Sequence, residues 1–303
     1  MKEKTAVLLI GFGGPQGMAE VRPFLESVLE GVKIPPQRFE EVLKHYEAIG
    51  GVSSYNAVSY RQKEALEGWL ASQNVTLSVG VGFRHSRPGF REVFESFKKE
   101  KVKKVVGFVL ASFRSFPSFG KYQAKIEEAK RGTGTENIPV VYTESFAGHS
   151  SYLEAQAAQA GKILSSFTEE EKKQTYFIFS AHSIPVDPSY ASQFEEASVR
   201  IAQSLGLEKN WSAAYQSRSG NPKDPWLEPD VRDVIRGLDV KKFKRVFLVP
   251  VGFLCDNVEV IYDLDTDAKK YCEDAGLKYF RASTVSDHPK FIEMMGRQVL
   301  EKV

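Results

Sequence analysis

The sequence predicts an α/β fold with two similar lobes, each built on a four-stranded parallel sheet flanked by helices. Eight short apolar runs, rich in β-branched and aromatic residues, are typical of strands buried on both faces. Helical patterns separate these runs at a spacing of about 30 residues, which suits repeated βαβ units. The runs form two sets of four around a polar, charged connector at 165–174. We therefore expect lobes at 1–165 and 166–303, with a final helix at 287–303 that packs back on the first lobe.

The expected strands follow one another in the same rhythm in both lobes. In the first lobe they read TAVLLIG (5–11), TLSVGVGF (76–83), KVVGFVLA (104–111) and IPVVYTE (138–144). In the second lobe they read TYFIFSA (175–181), WSAAYQS (211–217), RVFLVPV (245–251) and LKYFR (277–281). The alternation of strand and helix predicts parallel pairing in each set.

Composition and charge exclude several classes of protein. The net charge of the 303 residues is +2, so nothing calls for nucleic acid or an acidic membrane as partner. Cys255 and Cys272 are the two cysteines, without a CxxC pair, so neither a disulfide framework nor a four-thiolate cluster can form. The apolar run AVLLIGF is too short for a membrane span. A cytoplasmic protein is the expectation.

Polar and glycine-rich segments follow the predicted strands. These segments are GFGGP, RHSRP, SFRSFPSFG, AHSIP, QSRSGNPKDPW and GFLCDNVE. In open α/β sheets, ligands bind beyond the carboxyl ends of the strands. His182 follows directly on the strand FIFSA. The sequence therefore predicts a single ligand cleft with a titratable imidazole at its edge.

Simpler structural roles are expected for several residues that could carry chemistry. The segment GFGGP lacks the GxGxxG pattern and is read as a tight turn. The two cysteines are read as buried thiols. Trp226 in PWLEP could simply be part of the hydrophobic core. The remaining histidines are expected to be structural, namely His45, His85, His149 and His288.

An acidic segment, CDNVEVIYDLDTDAKK, starts in the same layer of strand ends. A helix beginning near Asp256 would place Glu259, Asp263 and Asp267 along one face, at i, i+4 and i+8. Such carboxylates repel one another by about 0.2–0.5 kcal/mol per pair on an exposed helix. A solvated acidic face is one interpretation. The other is a path for a hard, hydrated divalent cation, which oxygen ligands suit.

Six segments together resemble one enzyme family. They are EVRPFLESVL (20–29), HYEAIGGVS (45–53), GFR (82–84), SAHSIP (180–185), QSRSGNPKDPWLEP (216–229) and VPVGFLCDNVE (249–259). In this order they resemble the ferrochelatases, which insert ferrous iron into a porphyrin at the end of haem synthesis. The matches run from Gly11 to about Pro289, nearly the whole chain.

The resemblance implies a chelatase-like fold of two Rossmann-like lobes, with the porphyrin in the cleft between them. It assigns His182 as the catalytic histidine and Glu259 as its carboxylate partner. The acidic segment adds Asp263 and Asp267, so the expected metal-binding set is His182, Glu259, Asp263 and Asp267. Two pyrrole protons must leave as Fe²⁺ enters, and a neutral imidazole with a pKa of about 6.5 can accept a proton near pH 7. Iron is thus a substrate, and no tightly bound cofactor is expected.

The resemblance also assigns residues to the porphyrin pocket. Arg84 takes the position of an arginine near a porphyrin propionate, which a guanidinium suits. Ser115 is expected nearby. Phe12, Trp226 and Phe253 fall where the family lines its pocket with apolar side chains, as a flat hydrophobic macrocycle requires.

The chain departs from the family at three points. Asn257 stands where much of the family has histidine, and an amide cannot act as a base, so Asn257 is expected to support Glu259 together with Asp256. Phe12 and Phe113 stand where some relatives working on coproporphyrin carry tyrosine and histidine, so these positions are not expected to ligate product iron. The extra cysteines of an iron–sulfur cluster are missing, so no such cluster is expected.

Two other functions stay open at this point. One is a chelatase for another tetrapyrrole or metal, such as cobalt into a corrin precursor, and the segment 216–229 argues against it. The other is a non-catalytic porphyrin or haem carrier, which has no need of the pair formed by His182 and Glu259. A monomer is expected, with peripheral contact to a membrane or to neighbouring enzymes of haem synthesis left open.

Protoporphyrin is the expected substrate. The segment EVRPFLESVL resembles the family's first helix, which forms part of the active-site lip, and this lip is rich in helix, while the tyrosine–histidine pair is missing. Coproporphyrin carries four propionates where protoporphyrin carries two, so it would need additional cationic or hydrogen-bonding partners. Arg22, Lys33 and Arg38 of the lip are candidates, with plain solvation as the alternative.

Overall fold

The computed structural model describes residues 4–31, 36–219 and 224–303, with four side chains in these ranges left undescribed: Pro36, Arg38, Phe116 and Pro117. Lys33, one of the predicted lip cations, lies outside the described residues. The same holds for residues 220–223, at the centre of the motif QSRSGNPKDPWLEP.

Eight strands form two sheets with the same topology. The first contains β1 (Thr5–Gly11), β2 (Ser78–Phe83), β3 (Lys104–Val109) and β4 (Val140–Tyr142). The second contains β5 (Thr175–His182), β6 (Trp211–Gln216), β7 (Arg245–Val249) and β8 (Lys278–Arg281). Their orders are β2-β1-β3-β4 and β6-β5-β7-β8, and every pair is parallel. The predicted α/β fold is confirmed. His182 is the last residue of β5, where the sequence placed it one residue beyond the strand.

Twelve α-helices occupy the connections of the described chain. They are α1 (Met18–Val28), α2 (Pro36–Ala48), α3 (Tyr55–Ser72), α4 (Phe90–Lys99), α5 (Phe116–Thr133), α6 (Ser150–Leu164), α7 (Glu169–Lys173), α8 (Pro188–Ser204), α9 (Val231–Arg236), α10 (Val258–Tyr262), α11 (Lys269–Asp274) and α12 (Pro289–Leu300). A π-helical turn, Asp263–Ala268, joins α10 to α11. Helices α5, α8 and α12 have proline in the first turn, where its fixed φ suits helix entry.

Two glycines let a helix lie directly on the first sheet. A Cβ on Gly80 would lie 2.7 Å from Cγ1 of Val93, and one on Gly82 would lie 2.7 Å from Cδ1 of Phe90. Helix α4 carries both contact partners on its buried face. The glycines in β2 therefore fit this close approach of helix and strand.

The two sheets share one hydrophobic core. Buried side chains from both sheets, such as Val7 and Phe108 of the first and Phe177 and Phe247 of the second, belong to a single cluster. Helix α12 packs against α3 and α6. Gly296 of α12 faces the Trp69 ring so closely that a Cβ would lie 2.1 Å from a ring carbon. The helix that ends the second lobe is thus part of the packing around the first.

Cross-lobe hydrogen bonds run from side chains on or just before α3 and α6 to backbone carbonyls in the loops after β7 and β8. The donor–acceptor pairs are Ser54 to Asp256 (2.6 Å), Gln62 to Ser286 (2.9 Å), Tyr152 to Val251 (2.7 Å) and Gln159 to Thr284 (2.8 Å). Buried carbonyls of the strand-end loops are thereby satisfied by the opposite lobe. These bonds hold the loop that leads into α10.

The polar connector at 165–174 is ordered. It contains α7, which begins with a capping box between Thr168 and Glu171. Arg245 of β7 pairs with Glu171 at 2.5 Å. The lobe boundary proposed here stays a prediction, because one core spans both sheets. In the ranges described, no helix is both long enough and apolar enough to cross a bilayer.

Candidate active site

His182 and Glu259 meet at the carboxyl edge of the second sheet. His182 ends β5, and Glu259 lies in the first turn of α10, which follows β7. Nε2 of His182 is 3.4 Å from Oε1 of Glu259. The two side chains are 29% and 36% exposed, so a ligand can reach both. The structure thus brings together the two residues that the sequence placed at the centre of the site.

The backbone orients the imidazole of His182. Nδ1 donates a hydrogen bond to the carbonyl oxygen of Ser183, 2.5 Å away. The hydroxyl of Tyr190 donates to the carbonyl oxygen of His182 at 3.1 Å. Because Nδ1 carries the hydrogen, the proton that titrates is the one on Nε2, which faces Glu259.

The pKa values of the pair move in opposite directions. Burial acts to lower the pKa of His182, but the charge and hydrogen bond of Glu259 outweigh it and raise the pKa to about 9. Burial acts to raise the pKa of Glu259, and the charge of His182 with the amide of Asn257 brings it below the ordinary value. At neutral pH the free protein therefore holds an imidazolium–carboxylate pair. The neutral imidazole that would accept a pyrrole proton, as expected from the sequence, stays a prediction.

Two amides position Glu259. Nδ2 of Asn257 donates to Oε2 of Glu259 at 3.2 Å, while Oδ1 of Asn257 accepts from the backbone N–H of Val260 and caps α10. Nε2 of Gln216 donates to the backbone carbonyl of Glu259 at 2.8 Å. Gln216 is also the residue of β6 that pairs with His182. The amide of Asn257 leaves Oε1 of Glu259 to the imidazole.

The acidic segment departs from the regular α-helix that the sequence predicted. The helix begins at Val258 with Asn257 as its N-cap, close to the predicted start near Asp256, and a π-helical turn starts at Asp263. In a π-helix the backbone hydrogen bonds span five residues, so a turn is slightly wider than in an α-helix and residues i and i+4 still lie on nearly the same side. Asp263 accordingly lies within electrostatic reach of both Glu259 and Asp267.

Asp263 remains electrically coupled to the pair. It accepts a hydrogen bond from the hydroxyl of Ser217, which has a φ of 63°. Burial raises the pKa of Asp263 to about 7, and Glu259 and Asp267 add to the rise while Ser217 and His182 oppose it. A carboxyl group beside the pair is thus poised near neutrality.

The predicted metal set is only partly assembled. Within the described ranges, no three side chains of histidine, cysteine, aspartate or glutamate come together in a geometry suited to one metal ion. His182 and Glu259 are in contact, and Asp263 and Asp267 continue outward along the π-helical turn. A shared role of the four residues in metal binding stays a prediction.

Arg281, at the end of β8, ties down both ends of the segment that carries Glu259. Its guanidinium donates to both carboxylate oxygens of Asp265 at 2.7 Å and to Oδ1 of Asp256 at 3.0 Å. The backbone carbonyl of Asp256 accepts in turn from Ser54 of the other lobe. Asp256 is thus held at both its side chain and its backbone just before α10, and its predicted supporting role stays a prediction.

Helices α1 and α2 fold over the site as a lip. Their apolar faces pack with Val258 of α10 in one cluster that includes Phe24 and Tyr46. The ring of His45 stacks on Tyr262, with centroids 3.7 Å apart. Burial raises the pKa of Tyr46, and the charges of Glu259 and Asp263 add to the rise, so its ring lies beside the acidic groups.

Phe12 forms an apolar wall next to the lip. Its ring packs against Phe24 at 6.1 Å and against the imidazole of His85 at 4.6 Å between centroids. Nδ1 of His85 is 2.9 Å from the hydroxyl of Ser27. Burial and the neighbouring charge of Arg84 lower the pKa of His85 to about 4, so this imidazole is neutral at physiological pH.

Two predicted porphyrin contacts carry buried donors without an acceptor among the described residues. These are Nε of Arg84 and Nε1 of Trp226. A buried donor left unpaired costs free energy, about 1–3 kcal/mol, so each atom would gain from an acceptor on a ligand. Trp226 lies beside Pro185, just past His182, through a backbone bridge.

Two other predicted contacts are largely buried. The hydroxyl of Ser115 caps α5 by accepting from the N–H of Ser118, and the residue is 7% exposed. Phe253 is also 7% exposed and packs with Val260 in the core beneath α10. Phe253 therefore supports α10 from below, where the sequence placed it on the pocket wall.

Sequence reasoning missed several neighbours of the site. Ser217 and Gln216 stand in the quoted QSRSG segment, but neither the positive φ of Ser217 nor the direction of the Gln216 amide is visible in a sequence. His45 and His85 were expected to be structural, and both rings pack at the lip, a neighbourhood that the sequence did not show. The remaining two histidines do have the expected structural role, since both cap helices: His149 and His288.

Comparisons of the sequence with known proteins agree on one family. A family model described as Ferrochelatase matches residues 4–303. A ferrochelatase of Rhodopirellula baltica is 34% identical over 302 residues, covering 98% of this chain and 85% of that protein. Coproporphyrin III ferrochelatases of Mycolicibacterium vanbaalenii and Corynebacterium glutamicum are 31% and 33% identical, covering 96% and 97% of this chain and 87% and 84% of theirs.

Solved structures agree on the fold. The sirohydrochlorin chelatase SirB of Bacillus subtilis subspecies spizizenii, in complex with cobalt, superposes with a TM-score of 0.61 at 11% identity, covering 98% of this chain and 94% of that one. CbiX, the terminal enzyme of sirohaem biosynthesis in denitrifying bacteria, gives a TM-score of 0.56 at 13% identity, covering 98% and 99%. At such identities the likeness concerns the fold alone, and it confirms the chelatase-like arrangement of two lobes.

Proposed function

Because this chain belongs to the ferrochelatase family, we propose that it inserts ferrous iron into coproporphyrin III, with His182 and Glu259 handling the pyrrole protons. Two N–H bonds of the porphyrin break, the iron–nitrogen bonds form, and two protons leave. Iron stays ferrous, so the step needs no oxidant. One observation carries the proposal: Nε2 of His182 lies 3.4 Å from Oε1 of Glu259, and both side chains are exposed enough for a ligand to reach them.

The resting charge of the pair suggests an order of events. At neutral pH His182 carries a proton because its pKa is about 9. A ferrous ion that approaches the pair repels the imidazolium and favours loss of this proton. The carboxyl group of Asp263, with a pKa of about 7, can take it up and pass it to solvent. Nε2 is then free to accept a proton from a pyrrole nitrogen.

The names of the relatives support coproporphyrin III over the protoporphyrin favoured by the sequence. Two of the relatives described above are coproporphyrin III ferrochelatases, and both match nearly the whole chain. Helix content of the lip and the absence of a tyrosine–histidine pair say less about the substrate. A cytoplasmic monomer without a tightly bound cofactor or an iron–sulfur cluster remains the expectation from the sequence.

Initial rates of Fe²⁺ insertion, measured without oxygen for the two porphyrins, test the proposal. We expect kcat/KM for coproporphyrin III to exceed that for protoporphyrin IX at least tenfold. The reverse order would restore protoporphyrin as the substrate. A protein that binds both porphyrins tightly but metallates neither would be a carrier, and the proposal would fall.

Two histidine variants test the assignment of the base. His182→Ala should abolish insertion while leaving porphyrin binding, followed by fluorescence, largely intact, because proton transfer is lost and the pocket wall is not. His149→Asn is the matched control: His149 only caps α6, and asparagine is an equally good cap, so this variant should keep the wild-type rate. Near-normal turnover of His182→Ala would remove His182 from the mechanism.

A further inference from the structure

Coproporphyrin has carboxylates along opposite edges of the ring, whereas those of protoporphyrin lie along one edge. A pocket for coproporphyrin therefore needs cationic or hydrogen-bonding groups on two sides. The lip supplies few such groups among the described side chains. Arg22 already pairs with Glu40 at 3.2 Å and lies over the ring of Phe39, and its side chain is 53% exposed.

Arg114, in the loop after β3, is a cation of a different kind. It is partly buried, its guanidinium lies over the ring of Phe119 at 4.7 Å, and Nη2 donates to the carbonyl oxygen of Thr143 at 2.5 Å. Burial acts to lower the pKa of Arg114, with the charge of Glu144 opposing this. Glu144 itself pairs with Lys302 and is 74% exposed. Across the described residues Arg114 makes no ion pair, and a guanidinium has five N–H donors, most of which stay available.

A cavity of about 450 Å³ adjoins Arg114 at the seam between the lobes. Polar side chains from both lobes line it, namely Ser115, Ser145, Ser189 and Gln193. The amide of Gln193 fixes the loop, since it accepts from the N–H of Arg114 at 3.1 Å and donates to the carbonyl oxygen of Arg114 at 2.9 Å. The first turns of α5 and α8 open at this cavity, and helix N-termini favour negative charge.

The strand order places Arg84 and Arg114 on opposite sides of Phe12. Phe12 follows β1, Arg84 follows β2, and the loop of Arg114 follows β3, in a sheet ordered β2-β1-β3. Neighbouring strands lie about 4.8 Å apart, so the two loops start roughly 10 Å from each other, with the Phe12 loop between them. A flat macrocycle resting on Phe12 would present one edge to Arg84 and the opposite edge to Arg114.

We propose that Arg114 and the adjoining cavity bind a carboxylate on the edge of the porphyrin opposite to the one held by Arg84. Arg114 is then the residue that selects porphyrins with carboxylates along both edges. The proposal rests on the proposed function, because it needs a porphyrin in the cleft. Among the described residues Nε of Arg84 has no acceptor and Arg114 has no ion-pair partner, and both would find an anionic partner in the same ligand.

The test compares two porphyrins in one variant. Arg114→Gln should raise KM for coproporphyrin III about tenfold or more, the usual loss for a hydrogen bond to a charged group. KM for protoporphyrin IX and kcat for both porphyrins should stay within twofold of the wild type. Arg114→Lys keeps the charge without the planar fork and should lie between the two. Because the ratio of the two KM values is the readout, a partial loss of folded protein does not affect it.

Arg200→Gln is the matched control. Arg200 donates to the carbonyl oxygen of Gly148 at 2.5 Å and pairs with Glu196, so it contacts a loop at the same cavity without lining it. This variant should leave both KM values unchanged. Equal losses for both porphyrins in Arg114→Gln, or no loss for either, would overturn the proposal. Binding of metal-free porphyrin, measured by fluorescence, reports on Arg114 even if the protein proves to be a carrier, so the two proposals can fail separately.

Discussion

At the scale of single residues, the site depends on a proton held between His182 and Glu259. The carboxylate keeps the imidazole charged up to a pH of about 9 in the free protein. The base form must therefore be generated by raising the pH or by bringing a cation close to the pair. The pH dependence of the reaction should follow from this.

Glu259→Gln should lower kcat about 100-fold and move the rising limb of the pH profile of kcat/KM to lower pH by at least one unit. That limb reports the base in the free enzyme. Removing a carboxylate that raises the pKa of His182 from 6.5 to about 9 lets the pKa fall back toward its ordinary value. Rates measured between pH 5.5 and 9.5 give both quantities. A limb that stays in place would mean that Glu259 does not set the charge of His182.

Asn257 offers a second test, because its amide has two separate tasks. Asn257→Asp keeps an acceptor for the N–H of Val260, so the stability should barely change. It loses the donor to Oε2 of Glu259 and adds a like charge, so kcat should fall about tenfold.

Asn257→His should alter the pH profile only mildly, since imidazoles cap α6 and α12 in this protein. A natural protein that is inert and becomes active with Asn257→His would move the base away from His182.

The sequence identified the residue types at the site, but it said less about their protonation and their hydrogen bonds. SAHSIP and CDNVE led to His182 and Glu259, because the motifs carry both residues. The pKa of about 9 could not be predicted, because it depends on the distance between His182 and Glu259, which are 77 positions apart in the chain and come together only through folding. The hydroxyl that Ser217 directs at Asp263 depends on a backbone φ of 63°, which serine rarely adopts.

At the scale of elements, the segment from α10 to α11 determines where Glu259 lies. Arg281 holds this segment by Asp256 before α10 and by Asp265 in the π-helical turn. The eight strands were predicted correctly, because period and composition identify buried strands. The π-helical turn was not predicted, because the sequence DLDTDA also fits a regular α-helix. The ion pair between Arg281 and Asp265 forms only in the folded chain and is not visible in the sequence.

Arg281→Lys should lower kcat about 10- to 100-fold, because small displacements of a catalytic group are that costly. KM for the porphyrin should change less than twofold. In the Glu259→Gln background the same change should have little further effect, since Arg281 acts through Glu259. Arg232→Lys is the control, since Arg232 makes a similarly close pair with Asp230, the residue that caps α9. Losses that multiply in the double variant would mark Arg281 as merely structural.

The lip is the other element on which turnover should depend. Tyr262→Leu removes the stacking of His45 on α10 and keeps an apolar side chain in place. Aromatic pairs contribute about 0.5–1.5 kcal/mol beyond their area, so we expect the metallated porphyrin to dissociate roughly 2- to 10-fold faster. Stopped-flow fluorescence measures this rate. An unchanged rate would show that the contact between α2 and α10 does not retain the product.

At the scale of the whole molecule, the shared core and the cross-lobe hydrogen bonds should make the chain unfold as one unit. We expect fluorescence of the tryptophans and far-ultraviolet circular dichroism to give coincident urea transitions. Gly296→Ala should lower the free energy of unfolding by about 1–3 kcal/mol and move this single transition to lower urea concentration, because the added Cβ would collide with Trp69. Gly161→Ala on α6 is the control, since open space surrounds it and alanine favours helix. Two separate transitions would contradict the single unit.

The place of α12 in the core has a consequence for synthesis on the ribosome. Trp69 and the face of α3 that carries it emerge early, but the helix that covers them is made after both sheets. Until then the nascent first lobe exposes apolar surface, and α3 and α6, from which the loop leading to Glu259 is held, lack one of their packing partners. The pocket for a porphyrin is therefore completed late, so an interrupted chain should hold little of this light-sensitive ligand.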